Sequence, residues 1–177
     1  MTAARHQGQN DAGRPAASAL YTPEERRRRD ASVWTIVQGV LAPIQFLVFL
    51  VSLALVLRYL ASGQGEQAAA LSVVVKTVTL YAIMITGSIW EKVVFGRWLF
   101  APAFFWEDVF SMLVLALHSA YLVALYGGLL QPQALMLLAL AAYATYVINA
   151  GQFVLKLRAA RLQAAREAAP GGALAAA

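Results

Sequence analysis

Four apolar stretches, at about 33–60, 69–91, 106–126 and 133–156, take up most of this sequence, and each is long enough to cross a bilayer. A membrane-spanning helix needs about 20 mainly apolar residues. Within lipid, every backbone N–H and C=O must find its partner inside the protein. The expected fold is therefore all-α: a polytopic membrane protein, a four-transmembrane-helix bundle. Composition agrees, since 60% of residues are hydrophobic, against roughly 45–50% in soluble domains.

Charge placement sets the expected orientation. Arg26, Arg27, Arg28 and Arg29 directly precede the first stretch, while Lys156, Arg158 and Arg161 follow the last. Lys92 and Arg97 sit in the loop after the second, and the loop after the third has no Lys or Arg. Basic residues accumulate on the cytoplasmic side, so both termini and the middle loop are expected there. The net charge of +5 then reads as a topology signal towards anionic lipid rather than a nucleic-acid surface.

The chain has no cysteine, which excludes disulfides, thiolate metal sites and cysteine nucleophiles. With only His6 and His118, a histidine-rich zinc site is excluded too. The first thirty residues are polar and lack the apolar core of a signal peptide. Residues 1–20 are expected to be disordered, 21–162 to form the helical domain, and 163–177 to be an Ala-rich tail that is uncoiled from Ala168. Thr22-Pro23-Glu24-Glu25 carries the signals of a helix start, giving a short interfacial helix. Pro43 is expected to kink the first span. Ser62 to Gly65, Gly127-Gly128 and Gln131-Pro132 mark the turns.

Ionisable groups at membrane depth are costly unless they line a cavity or find partners. Glu91, Glu107 and Asp108 fall at the cytoplasmic ends of two sequential spans joined by a short loop. Burial and mutual repulsion there favour the neutral form of at least one carboxyl, which sets an acid beside a base. The plainer account is that Glu107 and Asp108 suit a helix start and that Lys92 or Arg97 neutralises Glu91. His118, eleven residues after Glu107, shares its face with Ser111, about 16 Å deeper. It is a candidate for ligation or proton transfer, against the commoner fate of a satisfied packing histidine.

Gln38, Gln45 and Ser52 recur every seven residues in the first span. Tyr143, Tyr146 and Asn149 share a face of the fourth. Interhelical hydrogen bonds explain both sets cheaply, yet both would line the interior where a large ligand must sit. Lys76 is read as snorkelling to the outer surface, and Gly87, on the same face, as room for a flat ligand. The loop from Phe95 to Trp106 is the most aromatic stretch of the chain and includes Trp98, Phe105 and Trp106. An interfacial belt accounts for part of it, and a flat apolar substrate would stack on the rest. Neither a glycine-rich phosphate loop nor a Glu-x-x-His pair on any span occurs, so nucleotide chemistry and a di-iron bundle site have no seat.

The segments YTPEERRRRDASVWTIVQGVLAPIQFLVFLVSLALVLRYL, IWEKVVFGRWLFAPAFFWEDVFSMLVLALHSAYL and LALAAYATYVINAGQFVLKLRAARL closely resemble the 2-vinyl bacteriochlorophyllide hydratase family. The likeness runs from about Tyr21 to Leu162. It implies an enzyme of bacteriochlorophyll synthesis, a hydro-lyase adding water to the C3 vinyl group of chlorophyllide a or a related Mg-chlorin. The implied location is the bacterial inner membrane, cytoplasmic or intracytoplasmic. No redox cofactor is implied, because magnesium arrives with the substrate. Membrane lipid and other bacteriochlorophyll-synthesis enzymes are the expected partners, and the oligomeric state is open.

For that chemistry the residues suggest Glu91 as acid and Glu107 or Asp108 as base, with exchangeable roles. His118 is a candidate axial ligand of the substrate magnesium or a water relay. Arg97 or Lys92 would hold the propionate. Trp98, Phe105 and Trp106, with Gln38, Gln45, Tyr143, Tyr146 and Asn149 of the interior, would hold the ring. Three rivals remain: the sister hydratase of the bacteriochlorophyll c, d and e branch, a non-catalytic pigment-binding assembly factor, and a small transporter. The transporter is disfavoured because no paired broken helices appear.

Overall fold

The structure is a computed structural model that describes residues 20–168. The expected disorder of the N-terminal tail, and the tail beyond 168, therefore lie outside the described residues except at their inner edges. In order, the helices are α1 (Pro23–Ala31), α2 (Val33–Ser62), α3 (Glu66–Phe95), α4 (Phe105–Tyr126) and α5 (Pro132–Ala168). The last four are long and apolar enough to cross a membrane, which makes this a multi-pass architecture.

Local chemistry sets the boundaries. Thr22 Oγ1 accepts the Glu25 N–H at 3.2 Å, and the Glu25 carboxylate accepts the Thr22 N–H at 2.8 Å. This reciprocal box satisfies two otherwise orphaned donors. Ser32 then ends α1 and caps α2 through Trp34 N–H, so one residue separates the interfacial helix from the first span. Pro43 sits inside α2, which stays helical from Val33 to Ser62. Gly63 and Gly65 take φ of 69° and 85°, a left-handed turn that a side chain would strain. It folds α3 back on α2. The last helix runs to Ala168, past the expected boundary at 162. The Ala, Gln, Arg and Glu residues of that stretch are strong helix formers and carry it onward.

The bundle is apolar outside and polar within. Val33, Ile36, Val40, Ile44, Leu47 and Val51 make an exposed stripe along α2, while Gln45 and Ser52 of the same helix are buried. Such a pattern suits lipid outside and polar partners inside. Helix α2 lies along α3 and α4 along α5, giving two hairpins that touch more sparingly through α2–α5, α3–α4 and α3–α5. Helix α1 rests on α3. A long core of Val56, Val73, Val114, Tyr121, Met136 and Tyr143 runs between the hairpins. A second cluster of Tyr21, Val94 and Phe104, backed by Trp90, Phe95 and Phe153, closes the end where α3 passes into α4.

Candidate functional site

The loop between α3 and α4 is folded around two carboxyls. Gly96, at φ 78°, ends α3. The chain then turns back so that two consecutive backbone amides point inward. Phe100 N–H donates to Asp108 Oδ2 at 2.7 Å, and Ala101 N–H to Glu91 Oε2 at 3.2 Å. Phe100 reaches this geometry at φ 59°, the one positive φ outside glycine among the described residues. Strain of that kind is retained where surrounding contacts impose it, often at functional sites. Glu91 and Asp108 are both buried, and their side chains lie within hydrogen-bonding reach of each other. Ionised carboxylates only accept, so a bond between the two requires a proton held between them.

Glu107, the other candidate base, points elsewhere. Its Oε2 accepts from Lys156 Nζ of α5 at 2.6 Å, and the ammonium also lies 5.0 Å from the Phe104 ring centre. The structure thus separates two acids that the sequence left interchangeable. In the sequence Lys156 stands out only as a topology signal. Its place seven residues after Asn149, on the face Asn149 turns towards α4, was the available clue.

Lys92 donates to Gly96 O at 2.9 Å and Arg97 is exposed, so neither takes the expected part of counter-ion to Glu91. Trp98, Phe105 and Trp106 are exposed, Trp106 by 66%, and form an outward aromatic rim. Phe104 turns inward instead and meets Tyr21, Phe95, Trp90 and Phe153 at centroid distances of 5.7–6.3 Å. Tyr21, just before α1, thereby packs into the aromatic cluster at the loop end of the bundle, a role its sequence did not suggest. Burial pushes the Tyr21 phenol up, while the Arg29 guanidinium, 4.6 Å from the ring centre, opposes that shift.

Deeper in the bundle many candidates are spent on helix–helix bonds. Gln38 Nε2 donates to Thr86 Oγ1 at 2.7 Å, Ser52 Oγ pairs with Tyr143 Oη at 2.5 Å and with Ser72 Oγ at 2.7 Å, and Asn149 Nδ2 donates to Ser111 Oγ at 2.8 Å. Gly87 lies against α2, where a β-carbon would meet the Gln38 side chain at 3.8 Å, an ordinary packing distance. One reading is corrected. Lys76 does not snorkel: it is 0% exposed, with Nζ 3.9 Å from the centre of the Tyr146 ring. Its stem points inward from α3, where the Tyr146 ring of α5 receives the ammonium. His118 is also fully buried, its Nδ1 2.8 Å from Val114 O. Gln45 and Tyr146 are buried as expected. An apolar groove of about 410 Å³ between α2 and α5 is lined by Phe46, Tyr146, Val147, Ala150, Gly151 and Val154.

These features define a multi-pass helical membrane protein with a carboxyl pair buried under an aromatic loop. A family model described as 2-vinyl bacteriochlorophyllide hydratase matches residues 21–159. The chain belongs to that family. It is 65% identical over 159 residues to the 2-vinyl bacteriochlorophyllide hydratase of Rhodobacter capsulatus, covering 89% of this chain and 92% of the relative. It is 68% identical over 144 residues to the protein of the same name from Cereibacter sphaeroides, covering 81% and 89%. No solved structure matches.

Proposed function

We propose that this chain is a hydro-lyase that adds water to the C3 vinyl group of chlorophyllide a or a closely related magnesium chlorin, giving the 3-(1-hydroxyethyl) product. The observation that carries the site assignment is the Glu91–Asp108 pair, held by successive amides and in reach of a shared proton. Glu91, as the acid, gives its proton to the terminal vinyl carbon. The C=C π pair forms that C–H bond and leaves a cation on the inner carbon, spread over the macrocycle. Water adds there as Asp108 takes its proton, forming the C–O bond. The proton then returns across the carboxyl–carboxyl contact to Glu91, so the pair is reset without any other donor.

Addition of water conserves electrons, so the proposed reaction calls for no redox cofactor, and the magnesium enters with its substrate. The chlorin approaches from the bilayer interface over Trp98, Phe105 and Trp106, with its propionate against Arg97. Lys92, already engaged with Gly96 O, is the weaker anchor. Asp108 and His118 are about 15 Å apart along α4, more than the half-width of a chlorin. With the vinyl at the carboxyl pair, His118 does not reach the magnesium, and water relay is the role we retain for it. Gln38 and Asn149 act as packing bonds rather than ring contacts in this arrangement.

The termini and the 96–104 loop are proposed to face the cytoplasm of a bacterial inner membrane, following the basic residues around them. Since the chain has no cysteine, single cysteines report topology cleanly. Leu129→Cys should react with an impermeant thiol reagent added to intact cells, and Arg97→Cys only after the membrane is opened. The activity itself is tested with purified protein and chlorophyllide a. A blue shift of the red absorption band with gain of one water's mass is expected. Tight binding without either change would reduce the protein to a pigment carrier.

A further inference from the structure

We propose that the seam between the two helix hairpins is a water-binding column that stores reactant water and passes it to the Glu91–Asp108 pair; only that last step rests on the hydratase reading. Among the described residues, the buried side-chain atoms that lack a hydrogen-bond partner within the protein are Gln45 Oε1, Lys76 Nζ, His118 Nε2, Tyr121 Oη, Asn149 Oδ1 and Gln152 Oε1. Gln45 and Lys76 come from the α2–α3 hairpin and the other four from α4–α5. All six are buried atoms of the four long helices, and Lys76 reaches across the seam from α3 to the Tyr146 ring of α5. Unsatisfied buried groups are rare in folded proteins, so six in one small bundle call for a common occupant.

Contacts and helix register order five of these groups relative to the carboxyl end. Asn149 bonds to Ser111 at 2.8 Å, one helical turn along α4 from Asp108. Gln45 lies one turn before Phe49, whose ring is 5.0 Å from Tyr146, and Tyr146 carries Lys76 on its face at 3.9 Å. His118 lies 5.8 Å from Tyr143, ring to ring, with Tyr121 one turn further on. From Asp108 to Tyr121 the column covers about 20 Å, ending about 8 Å short of the far end of α4.

The chemistry of the set suits water. A buried water needs two to four polar partners. Lys76 only donates, the three amide oxygens only accept, and Tyr121 does both. His118 Nδ1 lies 2.8 Å from a carbonyl oxygen, which fixes its proton on Nδ1 and leaves Nε2 as an acceptor. No direct contact pairs these donors and acceptors, but a water between them satisfies both kinds. A chlorin seated at the aromatic rim, over the Tyr21–Phe104 cluster, would close the loop end to bulk solvent. The second substrate then has to reach the vinyl group from inside the bundle.

Hydroxyl radicals generated by X-ray irradiation label side chains that touch water, bound water included. In the full chain in lipid nanodiscs, Tyr121 and Tyr146 should be labelled, and the oxygen-18 of labelled water should enter them more slowly than it enters exposed Tyr126. Phe104, 2% exposed and packed in the separate aromatic cluster at the loop end, serves as the dry standard. Labelling of Tyr121 and Tyr146 no greater than that of Phe104 would overturn the column. Lys76→Met should lower labelling at Tyr146 and cut kcat about tenfold with KM unchanged, and Gln45→Leu checks the same outcome should Lys76→Met not fold. Normal kcat in a folded variant whose labelling is lost would sever the column from catalysis. Labelling is read without turnover, so failure of hydration in the wild-type protein would refute the enzyme and leave the column standing.

Discussion

At the loop end of the bundle each buried acid has a partner: Glu91 and Asp108 the amides of Ala101 and Phe100, Glu107 the ammonium of Lys156. Further from the loop, Lys76, His118 and Tyr121 are at least as deeply buried, yet each keeps a polar atom with no partner in the protein. The two regions share helices and a similar degree of burial, so depth alone does not explain the difference. Where every atom is bonded, the protein fixes a geometry in advance, as a proton-transferring pair requires. Where atoms are left open, the water of the proposed column supplies the missing partner.

The largest effects belong to the bonded end. Glu91→Gln should lower kcat by about 10² to 10⁴, the usual range for losing a positioned acid or base, with chlorophyllide affinity kept. Turnover near the wild-type rate would remove Glu91 from the chemistry. Asp108→Asn should cost a similar factor, because the amide can neither accept the proton from water nor return it. Glu107→Gln sharpens the contrast between neighbours. It leaves Lys156 half-paired, so thermal stability should drop, by about 1–3 kcal/mol, while kcat changes less than about tenfold. Equal kinetic losses in Glu107→Gln and Asp108→Asn would erase the distinction between those two acids. Arg97→Ala should weaken binding of the free acid pigment more than that of its ester, and equal losses would reject the propionate contact. The smallest effect is expected for Phe100→Gly. Relief of the positive φ, about 1 kcal/mol, offsets the lost contact with the Phe105 ring 5.8 Å away, so the melting temperature should stay within a few degrees.

The spans, the interfacial helix and the turn glycines were legible because each depends on local chemistry: apolar length, a capping box, a left-handed turn. The gathering of Glu91 and Asp108 at one end was legible too, since a short loop must bring sequential helix ends together. The side to which each acid turns was not. Glu107 and Asp108 differ by one residue, roughly 100° around the helix, and only the position of α5 decides that Lys156 meets the first. Nor was the roof, because the amides of Phe100 and Ala101 are backbone groups that no residue pattern advertises. The inward turn of Lys76 was not legible for a related reason. A lysine two turns into a span can point outward or inward, and the choice rests on where Tyr146 stands.

The most direct test of the shared proton between Glu91 and Asp108 is the infrared band of a protonated carboxyl in the purified protein. The account predicts such a band in the wild type, shifting in deuterium oxide, absent from Glu91→Gln or altered by Asp108→Asn, and unchanged in Glu107→Gln. A wild-type spectrum with no protonated carboxyl, or a band that follows Glu107 instead, would contradict it.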